Sequence, residues 1–167
     1  MATKSDNTGA FRRYVVEFFG TFFLVMTLCM LDAGDHSQFA PMAAGVMLVA
    51  MMYAGFHISG AHYNPAVSLA TYLRGKLNSG DLLPYIVAQF LGGTLAAMLA
   101  GFLLNASGAP APVPKELEVV PALIAEFIGT FALCYVVLNT ATAKGTAGNS
   151  FYGLAIGMTV MTGARGT

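Results

Sequence analysis

Apolar residues fall into five long runs along the chain, separated by short polar stretches. The first spans about Tyr14 to Leu31, the second Pro41 to about Ile58, the third about Leu82 to Leu104 and the fourth about Val119 to Leu138. A fifth begins near Phe151 and continues towards the C-terminus. Each complete run approaches the roughly 20 residues that a bilayer-crossing helix needs, and none alternates with the period of a strand. The pattern predicts an all-α membrane protein.

Composition supports this reading. Of 167 residues, 56% are hydrophobic and only 10% are charged, against about a quarter charged in an ordinary soluble domain. The formal net charge is zero, which gives nucleic acid or an acidic partner no electrostatic handle. Cys29 and Cys134 both lie inside apolar runs, as small core residues do, rather than as a disulfide or metal pair. The polar start "MATKSDNTGAFRRY" is unlike a cleavable signal, so the first run stays as a helix.

Arg12 and Arg13 precede the first run, Arg74 and Lys76 follow the second, and Lys144 follows the fourth. The opposite connections hold Asp32, Asp35, Glu116 and Glu118, with Lys115 as their only basic residue. This asymmetry predicts a cytoplasmic N-terminus.

The first and fourth runs repeat each other. Residues 15–25 read "VVEFFGTFFLV" and residues 124–134 read "IAEFIGTFALC", with six of eleven positions identical and Glu17 and Glu126 109 residues apart. The fourth run comes three spans after the first, an odd offset, so the copies must enter the membrane from opposite sides, as in an inverted repeat. A glutamate inside each copy is costly in hydrocarbon and argues for a role.

Between the second and third runs lies "HISGAHYNPAVSLATYLRGK", residues 57–76, too apolar for a plain loop yet broken by proline and asparagine. It reads as a segment that folds back into the membrane, with "GAHY" as an irregular arm and "PAVSLATYL" as a short half-helix. Asn64 is a preferred N-cap, and Pro65 suits the first helical position, where its missing N–H costs nothing. The helix N-terminus is partly positive, and the Asn64 amide can donate hydrogen bonds, which favours a neutral solute and repels a cation. A capped interfacial loop without a pore is the alternative. His57 and His62 lack the carboxylate or thiolate that would complete a metal site. "HISG" loosely suggests a serine–histidine pair, but the chain offers no oxyanion loop or separate base for a hydrolase. Gly93, Ala97 and Gly101, spaced four apart, predict a face for close helix approach.

"SGAHYNPAVSLA", with "EFFGTF" and its repeat "EFIGTF", resembles the aquaporin and glycerol-facilitator (major intrinsic protein) family over residues 12–164; Gln89 in "AQFLGG" and the stretch "GNSFYGLAIGMTV" match as well. The resemblance implies a right-handed helical bundle with a re-entrant half-helix at 65–73. Residues 1–13 would be a cytoplasmic tail, 14–108 the first repeat, 109–118 an extracytoplasmic Pro-rich connection and 119–167 a partial second repeat. It implies no enzyme chemistry and no cofactor. It implies passive passage of water or a small neutral solute such as glycerol, usually through each subunit of a homotetramer in the lipid bilayer.

The same resemblance assigns residues. Asn64, Pro65 and Ala66 form the pore motif, and His62 lines or braces the pore. Ala44, twenty positions before Asn64, takes a filter place where a small residue implies a wide constriction, and Ala164 is the matching candidate in the fifth span. Glu17, Glu126 and Gln89 would brace the re-entrant loops from buried positions. The second Asn-Pro-Ala, its following arginine and a sixth helix do not occur within the 167 residues. The 109-residue offset carried from Asn64 would place the second asparagine near position 173, and Arg165 follows no such motif. The chain therefore reads as C-terminally incomplete, either a piece of a channel or a non-conducting subunit that assembles with full-length ones. Its short loops suggest a bacterial inner membrane.

Overall fold

The computed structural model describes residues 4–32, 37–108 and 118–163. Six α-helices make up the described chain: α1 (Lys4–Asp32), α2 (Ala40–Ser59), α3 (Pro65–Leu73), α4 (Ser79–Ser107), α5 (Val119–Ala141) and α6 (Tyr152–Gly163). Four of them, α1, α2, α4 and α5, are long and apolar enough to cross a membrane, while α6 is a shorter apolar helix. No strand occurs among the described residues.

α1 begins ten residues before the apolar run does, so Arg12 and Arg13 sit within the helix rather than ahead of it. A tertiary contact accounts for ordering this polar turn. One Arg13 guanidinium nitrogen lies 2.9 Å from both carboxylate oxygens of Asp81 near the start of α4, and the Tyr14 hydroxyl donates to the same carboxylate at 2.8 Å. Deeper in the helix, Thr21 and Thr27 donate back to the carbonyls of Glu17 and Phe23, so neither hydroxyl is left unsatisfied.

Packing joins the helices into a ring in the order α1, α2, α6, α5, α3, α4 and back to α1. Close approach at two crossings depends on glycine. A Cβ on Gly92 of α4 would fall on the Phe18 carbonyl of α1, and a Cβ on Gly45 of α2 would meet the Gly157 carbonyl of α6 at 2.6 Å. The small-residue face of α4 that meets α1 is therefore Ala88, Gly92, Ala96 and Ala100, all buried. The stripe of Gly93, Ala97 and Gly101 lies one residue on, and of its members Gly93 is also beside α1, where a Cβ would lie 3.6 Å from Val25. Ala97 is exposed, and a Cβ on Gly101 would meet nothing within 4 Å.

Large side chains cover the outside, among them Phe19, Phe90, Phe102, Phe127 and Phe131. In water this would be an untenable surface, but in a bilayer these side chains meet lipid. α5 is the extreme case, since Val137 is its one buried residue.

Candidate functional site

α2 ends at Gly60, whose left-handed backbone (φ 86°) lets its N–H close on the Phe56 carbonyl. The next residues do not form a regular turn. Ala61 and Tyr63 both take φ of 50°, a left-handed conformation that costs a residue with a Cβ about 1–2 kcal/mol. Left-handed residues in such a turn point successive backbone N–H groups the same way, which makes a cradle for an anion.

Glu17 of α1 fills that cradle. Its Oε1 accepts from the His62 N–H at 3.0 Å and from the Ser59 hydroxyl at 2.7 Å. Its Oε2 accepts from the Tyr63 N–H at 2.7 Å and from the Gln89 amide at 2.8 Å. Glu17 is completely buried, and four donors occupy an acceptor-only group. The Ser59 oxygen also accepts from the Ala61 N–H at 3.0 Å, so all three N–H groups of Ala61, His62 and Tyr63 are engaged.

Two tyrosines pin the ends of this segment. The Tyr63 ring lies in a slot that Gly20 of α1 and Gly55 of α2 leave open, where a Cβ on either glycine would overlap the ring or its hydroxyl. Its hydroxyl donates to the Met51 carbonyl at 2.9 Å. The Tyr85 hydroxyl of α4 donates to the Ser59 carbonyl at 2.6 Å, and its ring meets His62 edge-on with centroids 5.2 Å apart.

The chain then enters α3. Asn64 is extended (φ −152°, ψ 128°), and its Oδ1 accepts from the Ala66 N–H at 2.7 Å and the Val67 N–H at 3.4 Å, with Pro65 in the first helical turn. The oxygen half of the amide is thus committed to capping, which leaves the Nδ2 hydrogens as the free donor. Ser68 holds the half-helix to the rest, accepting from Gln89 Nε2 at 2.9 Å while lying 3.1 Å from His62 Nδ1. Glu17, His62, Ser68 and Gln89 therefore form one buried network that fixes where α3 begins.

Beside this network a cleft of about 380 Å³ is lined by Ser59, His62, Thr71, Lys76, Thr142 and Lys144, among others. Thr71 is buried, and among the described residues its hydroxyl has no hydrogen-bond partner.

The remaining sequence candidates fall elsewhere. Ala44 is completely buried within α2. Ala164 lies outside the described residues. Glu126 is exposed on α5, in contrast to the buried bracing position expected from the repeat, because no described segment packs over that face of the helix. His57 is exposed, and among the described residues no group of three metal-ligating side chains occurs. Ser59, Ser68, Thr71 and Tyr85, together with the glycine slot for Tyr63, are functional or supporting elements that sequence reasoning missed. Gly20 and Gly55 were a visible signal, since glycine inside a helix is unfavourable by about 0.5–1 kcal/mol unless something needs the space.

Comparison with known proteins places this arrangement. Residues 4–165 match the family described as Major intrinsic protein. The chain is 35% identical over 159 residues to aquaporin NIP1-1 of Zea mays, covering 90% of this chain and 56% of that protein. It is 34% identical over 170 residues to the probable aquaporin AqpM of Archaeoglobus fulgidus, covering 88% of this chain and 68% of the relative. With aquaporin Z of Photorhabdus laumondii it shares 29% identity over 173 residues, 90% of this chain and 73% of the other. The chain spans about half the length of the plant relatives it matches.

Proposed function

The chain belongs to the major intrinsic protein family, and on that premise we propose that it forms the Asn64-bearing half of a passive channel for water or a small neutral solute such as glycerol. The observation that carries this reading is the divided amide of Asn64. Its oxygen is held by the first N–H groups of α3, which leaves its Nδ2 as the donor at the positive end of a half-helix. A neutral hydrogen-bonding molecule is oriented there, while a cation meets a like-signed field.

The Glu17 network supports the reading by holding that donor rigidly. The cleft that Ser59, His62 and Thr71 line supports it further, with polar residues beside the network that fixes the start of α3. Ala44 would leave the constriction wide enough for glycerol; that placement rests on its register twenty positions before Asn64, and its complete burial adds nothing to it. In the bilayer we place the N-terminus in the cytoplasm of a bacterial cell and assign the assembled channel a homotetrameric form.

The 167-residue chain by itself does not conduct selectively, because the wall opposite α3 would have to come from elsewhere. A second reading, a non-conducting subunit that associates with full-length channels, is favoured by the exposed Glu126 on the uncovered face of α5. Co-purification with a full-length relative would support it.

Osmotic shrinkage of proteoliposomes tests the first reading. Liposomes holding this chain alone should shrink at the rate of empty ones. A fusion of the chain to the complementary C-terminal half of the Archaeoglobus relative should raise water permeability. Asn64→Asp in that fusion should lower it and open a cation leak, since a carboxylate keeps the cap but replaces the donor. Conduction by the lone chain overturns the claim of inactivity, and an inert, correctly folded fusion overturns the channel reading.

A further inference from the structure

A second opening lies at the end of the bundle where α1 begins and α2 finishes. A groove of about 680 Å³ runs between these helices, lined by Phe11, Arg12, Arg13, Val16, His57 and Ile58, among others. It shares no lining residue with the cleft beside His62. The apolar span of α1 starts at Gly9 and that of α2 ends at Ser59, so the groove sits at one membrane boundary.

Its chemistry is divided by height. At the boundary are two guanidinium groups and an imidazole, with no carboxylate among the lining residues. Arg12 is exposed and forms no ion pair among the described residues. Arg13 gives one terminal nitrogen to Asp81, and its side chain stays 31% exposed. One turn further into the membrane the lining on α1 changes to Val15 and Val16, and Ile58 adds an apolar side chain at the end of α2. Phe11, 67% exposed, forms an apolar lip that has no use in an aqueous anion site.

We propose that this groove holds an anionic phospholipid. Its phosphate sits between Arg12 and the exposed part of the Arg13 side chain, with His57 alongside, and an acyl chain follows Val15 and Val16 into the bilayer. Guanidinium groups match phosphate oxygens through paired N–H donors, and basic pockets between spanning helices at a membrane boundary suit anionic headgroups. A zwitterionic lipid gains less, because no acidic residue of the lining awaits its ammonium group. The proposal is independent of whether the chain conducts.

The test uses the purified 167-residue chain in a neutral detergent, titrated with phosphatidylglycerol or phosphatidylcholine of the same acyl length. Native mass spectrometry counts retained lipid, and the thermal midpoint follows stabilisation. Phosphatidylglycerol should be retained preferentially, and Arg12→Ala should weaken it by roughly fivefold while Arg12→Lys recovers most of the loss. Both Arg12 and His57 are exposed, so Arg12→Ala and His57→Ala should keep the lipid-free thermal midpoint. The comparison of the two lipids on the unaltered chain needs no variant. Equal retention of both lipids overturns the proposal, as does an unchanged affinity in the double variant Arg12→Ala, His57→Ala. Inorganic phosphate that stabilises the chain as well as phosphatidylglycerol would assign the groove to free anions and overturn the lipid.

Discussion

Glu17→Ala would leave the His62 and Tyr63 N–H groups and the Gln89 amide facing a void where four donors now meet one carboxylate. A buried donor stripped of its partner costs about 1–3 kcal/mol, so the expected loss is about 3 kcal/mol or more. Glu126→Ala removes an exposed side chain and should change stability by less than about 0.5 kcal/mol. Thermal unfolding of both variants in detergent checks the contrast; a comparable loss at Glu126 would mean that its face of α5 is covered. The two glutamates show what sequence can reveal at this scale. The cost of an ionisable group in hydrocarbon marked both as significant, and the capping chemistry of Asn64 and Pro65 could be read from residue type alone. Whether a partner covers each glutamate depends on tertiary neighbours, and there the copies part. Ser59, Tyr63 and Tyr85 were hidden for the same reason. Serine at a helix end or tyrosine in an apolar run carries no local sign that its hydroxyl reaches a particular carbonyl.

Among the helices, the α1–α4 crossing permits the sharpest test. A Cβ at Gly92 would press on the Phe18 carbonyl, a backbone atom that cannot rotate away. Gly92→Ala should therefore destabilise the chain by about 1–3 kcal/mol, as overpacking does. Gly101→Ala meets no obstacle and should be neutral or stabilising by about 0.5–1 kcal/mol through helix propensity. Thermal midpoints that fall equally for both would show that the helix contact is not set at Gly92. The spacing of small residues in "FLGGTLAAMLAG" revealed that α4 packs closely, yet it contains two interleaved stripes one residue apart. Periodicity alone does not say which stripe faces α1. The span boundaries show a similar limit: hydropathy located α2 and α5 well, but α1 continues outward because Arg13 finds Asp81 across 68 residues of chain. The start of α3 was easier to read, since Asn64 and Pro65 specify a helix start through local geometry alone.

At the scale of the whole molecule, the ring of helices is unevenly cemented. α1, α2 and α4 share the Glu17 network, the Arg13–Asp81 contact and the glycine crossing at Phe18. Among the described residues α5 joins the ring only through α6 and α3, and it buries Val137 alone. Local opening free energy follows the number of buried contacts that must break. Amide hydrogen exchange of the chain in detergent should therefore find α1 and α4 the last to exchange and α5 clearly faster, despite the higher mean hydropathy of α5, 2.0 against 1.9 for α1. That inversion separates two sources of protection. If immersion in the apolar phase governed exchange, α5 would match or outlast α1, and the uneven packing would have no energetic meaning. If packing governs it, the faster face of α5 should be the one that carries Glu126 and Phe127, and binding of a protein that covers this face should slow exchange there while leaving α1 unchanged.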